Sequence, residues 1–118
     1  MKYLLLCLFF VPTLVSAATP EELKLFARHV AEINQLNVKV FLATIKCESS
    51  FNYKAVGLAG ERSAVQYMPL TWLKHQKLLG YEGLSLSDPF APIAIMGAVW
   101  KDYPKTKREW TCYRQVSA

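Results

Sequence analysis

The sequence predicts an all-α domain with at most one small strand pair. Three observations carry that expectation. Apolar residues recur at helical spacing in several segments, start and stop residues flank those segments, and no stretch sustains the two-residue alternation of a strand. A chain of 118 residues suffices for one domain around one core. It contains no repeat, low-complexity tract or internal linker.

The first helix is marked by Thr19 and Glu22, spaced as a capping box, with Pro20 at the first helical position. Leu23, Phe26, Ala27, Val30 and Ile33 then follow helical spacing. Asn37 can cap a second helix through Val38, Phe41, Leu42 and Ile45 towards Ser49. A loop with Asn52, Gly57 and Gly60 comes next, and the Gly57 to Gln66 region is the one place for a strand pair. Thr71 is expected to cap a helix from Trp72 to Leu79, ended by Gly80. Asp88-Pro89 opens a last long helix carrying Ile93, Met96, Ala98, Val99 and Trp100, until Pro104 stops it. The basic run Lys101, Lys105, Lys107 and Arg108 reads as a solvated tail, with contact to an anionic polymer as the alternative.

Residues 1–17, MKYLLLCLFFVPTLVSA, have the parts of a secretory signal: a lysine, an apolar stretch from Tyr3 to Val11, and small residues before the cut. The apolar stretch is short for a membrane span, so no stable membrane anchor is expected. The domain is then residues 18–118, exported to the periplasm or the cell exterior. Loss of Lys2 leaves thirteen basic and nine acidic residues, a net charge of +4. That suits an anionic polymer such as a cell wall, or serves solubility alone. No arginine-rich arm or nucleic-acid motif is present, so no nucleic-acid partner is expected. Cleavage also removes Cys7, so Cys47 and Cys112 become the pair available for a disulfide in an oxidising compartment.

The stretch Lys46 to Trp72, KCESSFNYKAVGLAGERSAVQYMPLTW, follows the oily run VFLATIKC. Glu48 therefore falls in the last turn of the second helix, where the negative pole of the helix disfavours a carboxylate. Apolar surroundings would raise its pKa further, as a general acid at a glycosidic oxygen requires. The alternative is an ordinary surface glutamate at a fraying helix end. His29 and His75 lie far apart without an obvious Cys or Asp partner, so neither metal nor triad chemistry is expected.

The passage resembles the lytic transglycosylases, whose domain is similar in fold to goose-type lysozyme. The matching residues are Glu48-Ser49, Phe51-Asn52, Ala55-Val56, Gly60, Gln66, Met68-Pro69 and Thr71-Trp72. Looser likeness runs through Asp88-Pro89 to Trp110-Thr111-Cys112. The resemblance implies a small lysozyme-like fold and a peptidoglycan glycan-strand lyase. Glu48 would protonate the bond between N-acetylmuramic acid and N-acetylglucosamine, then deprotonate the C6 hydroxyl to give a 1,6-anhydro end. Ser49, Gln66, Tyr67 and Trp100 would contact substrate, although core roles for Tyr67 and Trp100, and a loop-tying role for Gln66, are the alternatives. No cofactor or metal is implied, and a monomer is expected. The sequence departs from the family at Ser63, where glycine is usual, and at Gly57, often serine. Trp100 or Tyr103 stands near the place of a tyrosine. A hydrolytic lysozyme would need Glu61, Glu82 or Asp88 as second carboxylate, so the lyase is favoured. The departures at Ser63 and Gly57 leave open a non-catalytic wall-binding or inhibitor domain. The setting is equally open between wall turnover, a secretion or pilus apparatus, and attack on another cell.

Overall fold

The computed structural model describes residues 17–118; the expected signal segment lies, but for Ala17, outside the described residues. Five α-helices follow one another: α1 (Pro20–Ile33), α2 (Val38–Ser49), α3 (Pro69–Leu78), α4 (Ala91–Asp102) and α5 (Thr111–Val116). A 3-10 helix (Pro104–Glu109) joins the last two. Among the described residues there is no sheet. Two isolated antiparallel bridges, Val56 with Arg62 and Arg62 with Tyr67, occupy the region expected to hold a strand pair. The all-α expectation is met.

Local signals act as the residues dictate in the first two helices. Thr19 Oγ1 accepts from the Glu22 amide at 3.1 Å, and the Glu22 carboxylate accepts from the Thr19 amide at 3.0 Å. Asn37 caps α2 by accepting from the Val40 amide at 3.0 Å. Ser50 ends α2 in the left-handed region at φ +55°, its amide donating to the Lys46 carbonyl.

Three expectations need correction. Helix α3 starts at Pro69, three residues early, because proline's fixed φ suits the first helical position and Met68 is already extended. Thr71 therefore sits inside the first turn instead of capping it. Ile33, expected on the buried face of α1, is exposed, while Leu23, Ala27, Val30 and Ala31 form that face. The segment after Pro104 is not merely a solvated tail. Its missing amide forbids continuation of α4, but the chain folds on as a 3-10 turn. Thr106 is buried there, its hydroxyl donating to the Tyr103 carbonyl at 2.7 Å. Lys101, Lys105 and Arg108 stay exposed as expected.

Helix α4 is the centre of the domain, apolar on nearly every side, and packs against α1, α3 and the 3-10 helix. Asp88 caps its entry, accepting from the Phe90 and Ala91 amides at 2.9 and 2.8 Å. A Cβ at Gly97 would lie 2.3 Å from Val30 Cγ1, so glycine is what lets α4 lie this close to α1. The Cys47–Cys112 disulfide joins the end of α2 to α5 across a sequence separation of 65. It stands as the cysteine count predicts and fits an oxidising compartment.

Candidate active site

Helix α2 ends against the start of α5, and a cleft of about 200 Å³ opens beside the junction. Glu48, Glu61 and Glu109 line it, together with Gln66, Tyr67 and Thr71. No lysine or arginine lines it.

Glu48 is half-buried in the last turn of α2. Its Oε2 accepts from the Cys112 amide at 3.3 Å, an orphan donor of the first turn of α5. Desolvation raises its pKa above the ordinary carboxylate value; the Cys112 amide pulls it back, and the charge of Glu61 raises it again. The group thus holds its proton at higher pH than a free glutamate, as a proton donor needs.

Glu61 reaches the cleft through space that Gly57 leaves open. A Cβ at position 57 would stand 2.7 Å from the Glu61 carboxylate and 2.8 Å from Gln66 Oε1. The Glu61 carboxylate also accepts from the Ala59 amide at 2.8 Å, which fixes the turn beneath it. The absence of a side chain at 57 is therefore what makes room for the Glu61 carboxylate beside Gln66.

Gln66 lies in the left-handed region at φ +56°. Its amide group donates to the Ala55 and Ser63 carbonyls at 3.1 and 2.8 Å, so both donors tie the loop together. Its Oε1 is the atom left for a ligand, in a side chain that lines the cleft. Ser49 has no free hydroxyl to offer. It donates to the Ala64 carbonyl at 2.6 Å and accepts from the Asn52 amide at 3.1 Å, which binds the loop to the helix end. Its expected substrate contact gives way to a structural one. Trp100 is likewise a core residue, 2 % exposed and packed edge-on between Phe41, Trp110 and Tyr113. Its side chain projects from the apolar central helix, which cannot offer it to the cleft.

Tyr67 lines the cleft floor yet is 1 % exposed. Its hydroxyl lies 2.8 Å from His75 Nδ1, and His75 Nε2 lies 3.1 Å from Glu109 Oε1. Burial lowers the pKa of His75 against the opposing pull of Glu109, and Lys74 adds to the lowering. A neutral ring has one N–H, and an ionised carboxylate can only accept. Nε2–H therefore donates to Glu109, and Nδ1 accepts from Tyr67. Burial and the charge of Glu109 push the Tyr67 hydroxyl well above its ordinary pKa, so it remains a donor. The chain Tyr67–His75–Glu109 pins the 3-10 helix to α3 and fixes the Glu109 carboxylate at the cleft wall. Trp110 extends the support, its indole N–H donating to the Val65 carbonyl at 2.8 Å.

Sequence reasoning missed Glu109 and the partners of His75. Those partners come from residues 8 and 34 positions away, and no local pattern reports such a pairing. Among the described residues no group of three or more His, Cys, Asp or Glu could hold a metal ion. Fold and site together define a small disulfide-tied helical domain with a carboxylate-lined cleft. Comparison with protein-family models, curated proteins and solved structures found no match.

Proposed function

We propose that the chain is a lytic transglycosylase that cleaves peptidoglycan glycan strands, with Glu48 as the acid and base. The observation that carries the reading is the environment of Glu48: a half-buried carboxyl in a cleft wall, its pKa raised by desolvation. A protonated Glu48 gives its proton to the β-1,4 glycosidic oxygen between N-acetylmuramic acid and N-acetylglucosamine. The resulting carboxylate takes the proton of the C6 hydroxyl as that oxygen closes on C1. The bond count balances without water, metal or an enzyme nucleophile. The carbonyl oxygen of Gln66 and the face of the cleft floor above Tyr67 orient the sugars.

A hydrolytic lysozyme is the second reading, and the placement of Glu61 favours it. A second carboxylate in the same cleft is the group an inverting hydrolase uses to activate water. Of the three acids weighed by sequence, Glu61 alone lines this cleft; Glu82 lines a different pocket.

The reading puts the protein outside the cytoplasm, in the periplasm or the exterior, as a monomer on peptidoglycan strands. Purified peptidoglycan digested with the protein and analysed by mass decides the matter. Ends lighter by one water mark the lyase, and reducing ends mark the hydrolase. An unchanged polymer marks a non-catalytic wall-binding domain and overturns the proposal.

A further inference from the structure

Between them, α1 and α2 border another cavity, of about 430 Å³. Lys24 and Arg28 stand on its α1 side, Lys39 and Lys46 on its α2 side, and all four are exposed. Its remaining lining is apolar: Val38, Leu42, Ala43 and Phe51. No acidic residue lines it. Among the described residues the ion pairs are Lys74 and His75 with Glu109, so none of the four cations has an acidic partner.

Lys24 and Arg28 are four apart on one helix face, a like-charge pair flanked by Glu21 three residues before Lys24 and Glu32 four residues after Arg28. Lys39 is the second residue of α2, where the helix dipole disfavours a cation, and no acid in the first turn offsets it. Lys46 alone sits where its helix favours a positive charge. What sets this place apart is four exposed cations converging from two helices on a lining that holds no acid.

The shape selects the ligand. The apolar atoms form the floor and the cations the rim, so a flat bilayer would touch the rim and leave the floor empty. A slender strand can enter. Single-stranded nucleic acid requires exposed rings for its bases, and the one aromatic residue here, Phe51, is 5 % exposed. We propose that this groove binds a flexible anionic polymer whose phosphodiester charges are spaced along a polyol chain. The cations take the phosphates, with Arg28 able to engage one bidentately, and the carbon skeleton lies on the apolar floor. Helix α2 carries both Lys46 at this groove and Glu48 at the cleft. A strand held here therefore tethers the protein within one helix of the site where the glycan would be cut.

The test is binding of poly(glycerol phosphate) to the purified protein, with phosphatidylglycerol vesicles and single-stranded DNA as parallel probes. Four phosphate contacts give a slope of log affinity against log salt of about −3, a loss of about fiftyfold between 50 and 200 mM salt. The double substitution Arg28→Glu with Lys39→Glu should weaken polymer binding at least tenfold. The control pair Lys105→Glu with Arg108→Glu makes the same change in net charge and should leave binding within about twofold. All four side chains are exposed, and circular dichroism checks that each variant folds. Glu48→Gln should bind the polymer as the native protein does, so a failure of the glycan-cleavage reading leaves this result standing. Native affinity in Arg28→Glu/Lys39→Glu overturns the proposal. So does an equal loss in the control pair, or tighter binding to vesicles or DNA than to the polymer.

Discussion

The amide of Cys112 donates to the carboxylate of Glu48, and Cys112 is also the residue whose sulfur is bonded to Cys47, the neighbour of Glu48. One short segment of α5 thus grips the end of α2 twice, once covalently and once through the group proposed to do the chemistry. Reduction should therefore act on stability and site together. Closing a loop of this size is worth about 4 kcal/mol in the chain-entropy model. Cys47→Ser with Cys112→Ser should lower the melting temperature markedly, and alkylation of the unreduced native protein should label neither cysteine. Labelling of both would contradict the bond.

Glu48→Gln retains volume and an acceptor for the Cys112 amide but cannot transfer a proton. General acid–base catalysis contributes about 10²–10⁴-fold, so glycan cleavage should fall by that order. Stability should move the other way. Because the folded pKa is raised, the folded state binds more protons than the unfolded chain as pH climbs out of the ordinary carboxylate range, and stability falls there. The penalty is absent in acid and grows as pH rises through the raised pKa. In denaturation scans Glu48→Gln should match the native protein in acid and exceed it increasingly as pH rises above the ordinary carboxylate range. Native cleavage rates in this variant would end the mechanism.

Glu61 raises the Glu48 pKa through its charge. Glu61→Gln should move the basic limb of the kcat/KM profile to lower pH, since a donor acid is lost when it ionises. The same variant separates the two reactions. A lyase keeps its turnover near the optimum, while a hydrolase that uses Glu61 to activate water loses it by orders of magnitude.

His75→Leu removes the acceptor of a Tyr67 hydroxyl that is otherwise sealed in the core. An orphaned buried donor costs about 1–3 kcal/mol, and Tyr67→Phe added to His75→Leu should recover part of that loss. The pH dependence follows from the lowered His75 pKa. The unfolded chain takes up the proton first, so stability present above about pH 6.5 is lost as pH falls below it. Urea titrations at pH 5 and pH 7 should show that loss in the native protein and a smaller one in His75→Leu. Equal losses would place the acid-sensitive group elsewhere.

Ser63 is 2 % exposed and held at φ +80°, a region that L residues resist. Its hydroxyl accepts from the Val65 amide at 3.3 Å, a long contact that offsets little of the strain. Comparing Ser63→Gly with Ser63→Ala isolates the backbone. Glycine should be the more stable of the two by about 1 kcal/mol, the reverse of their order within a helix. Alanine equal to glycine in thermal melts would show that the loop relaxes.

Much of this protein was written locally. Thr19 with Glu22, and Asn37, each satisfy helix-end amides within three residues, so a reader of the chain finds α1 and α2 without knowing what they touch. Counting cysteines outside the expected signal segment was enough to pair Cys47 with Cys112. The position of Glu48 in the last turn of α2 was legible for the same reason. Tertiary structure decided the rest. Asp88, three residues ahead of the first turn of α4, was readable as its opening, and the all-round apolar run from Ala91 to Trp100 marks a buried helix, but nothing local said which elements would enclose it. That enclosure turned Trp100 from a candidate sugar contact into core. Ser49 and Gln66 match a binding pattern in sequence, yet their donors were claimed by carbonyls 15 and 11 residues away. Glu109 entered the cleft through a buried histidine 34 positions earlier. Helix caps and a cysteine count are short-range facts that the chain states outright. Which polar atoms remain free for a ligand depends on every long-range hydrogen bond already made, and only the folded chain fixes that.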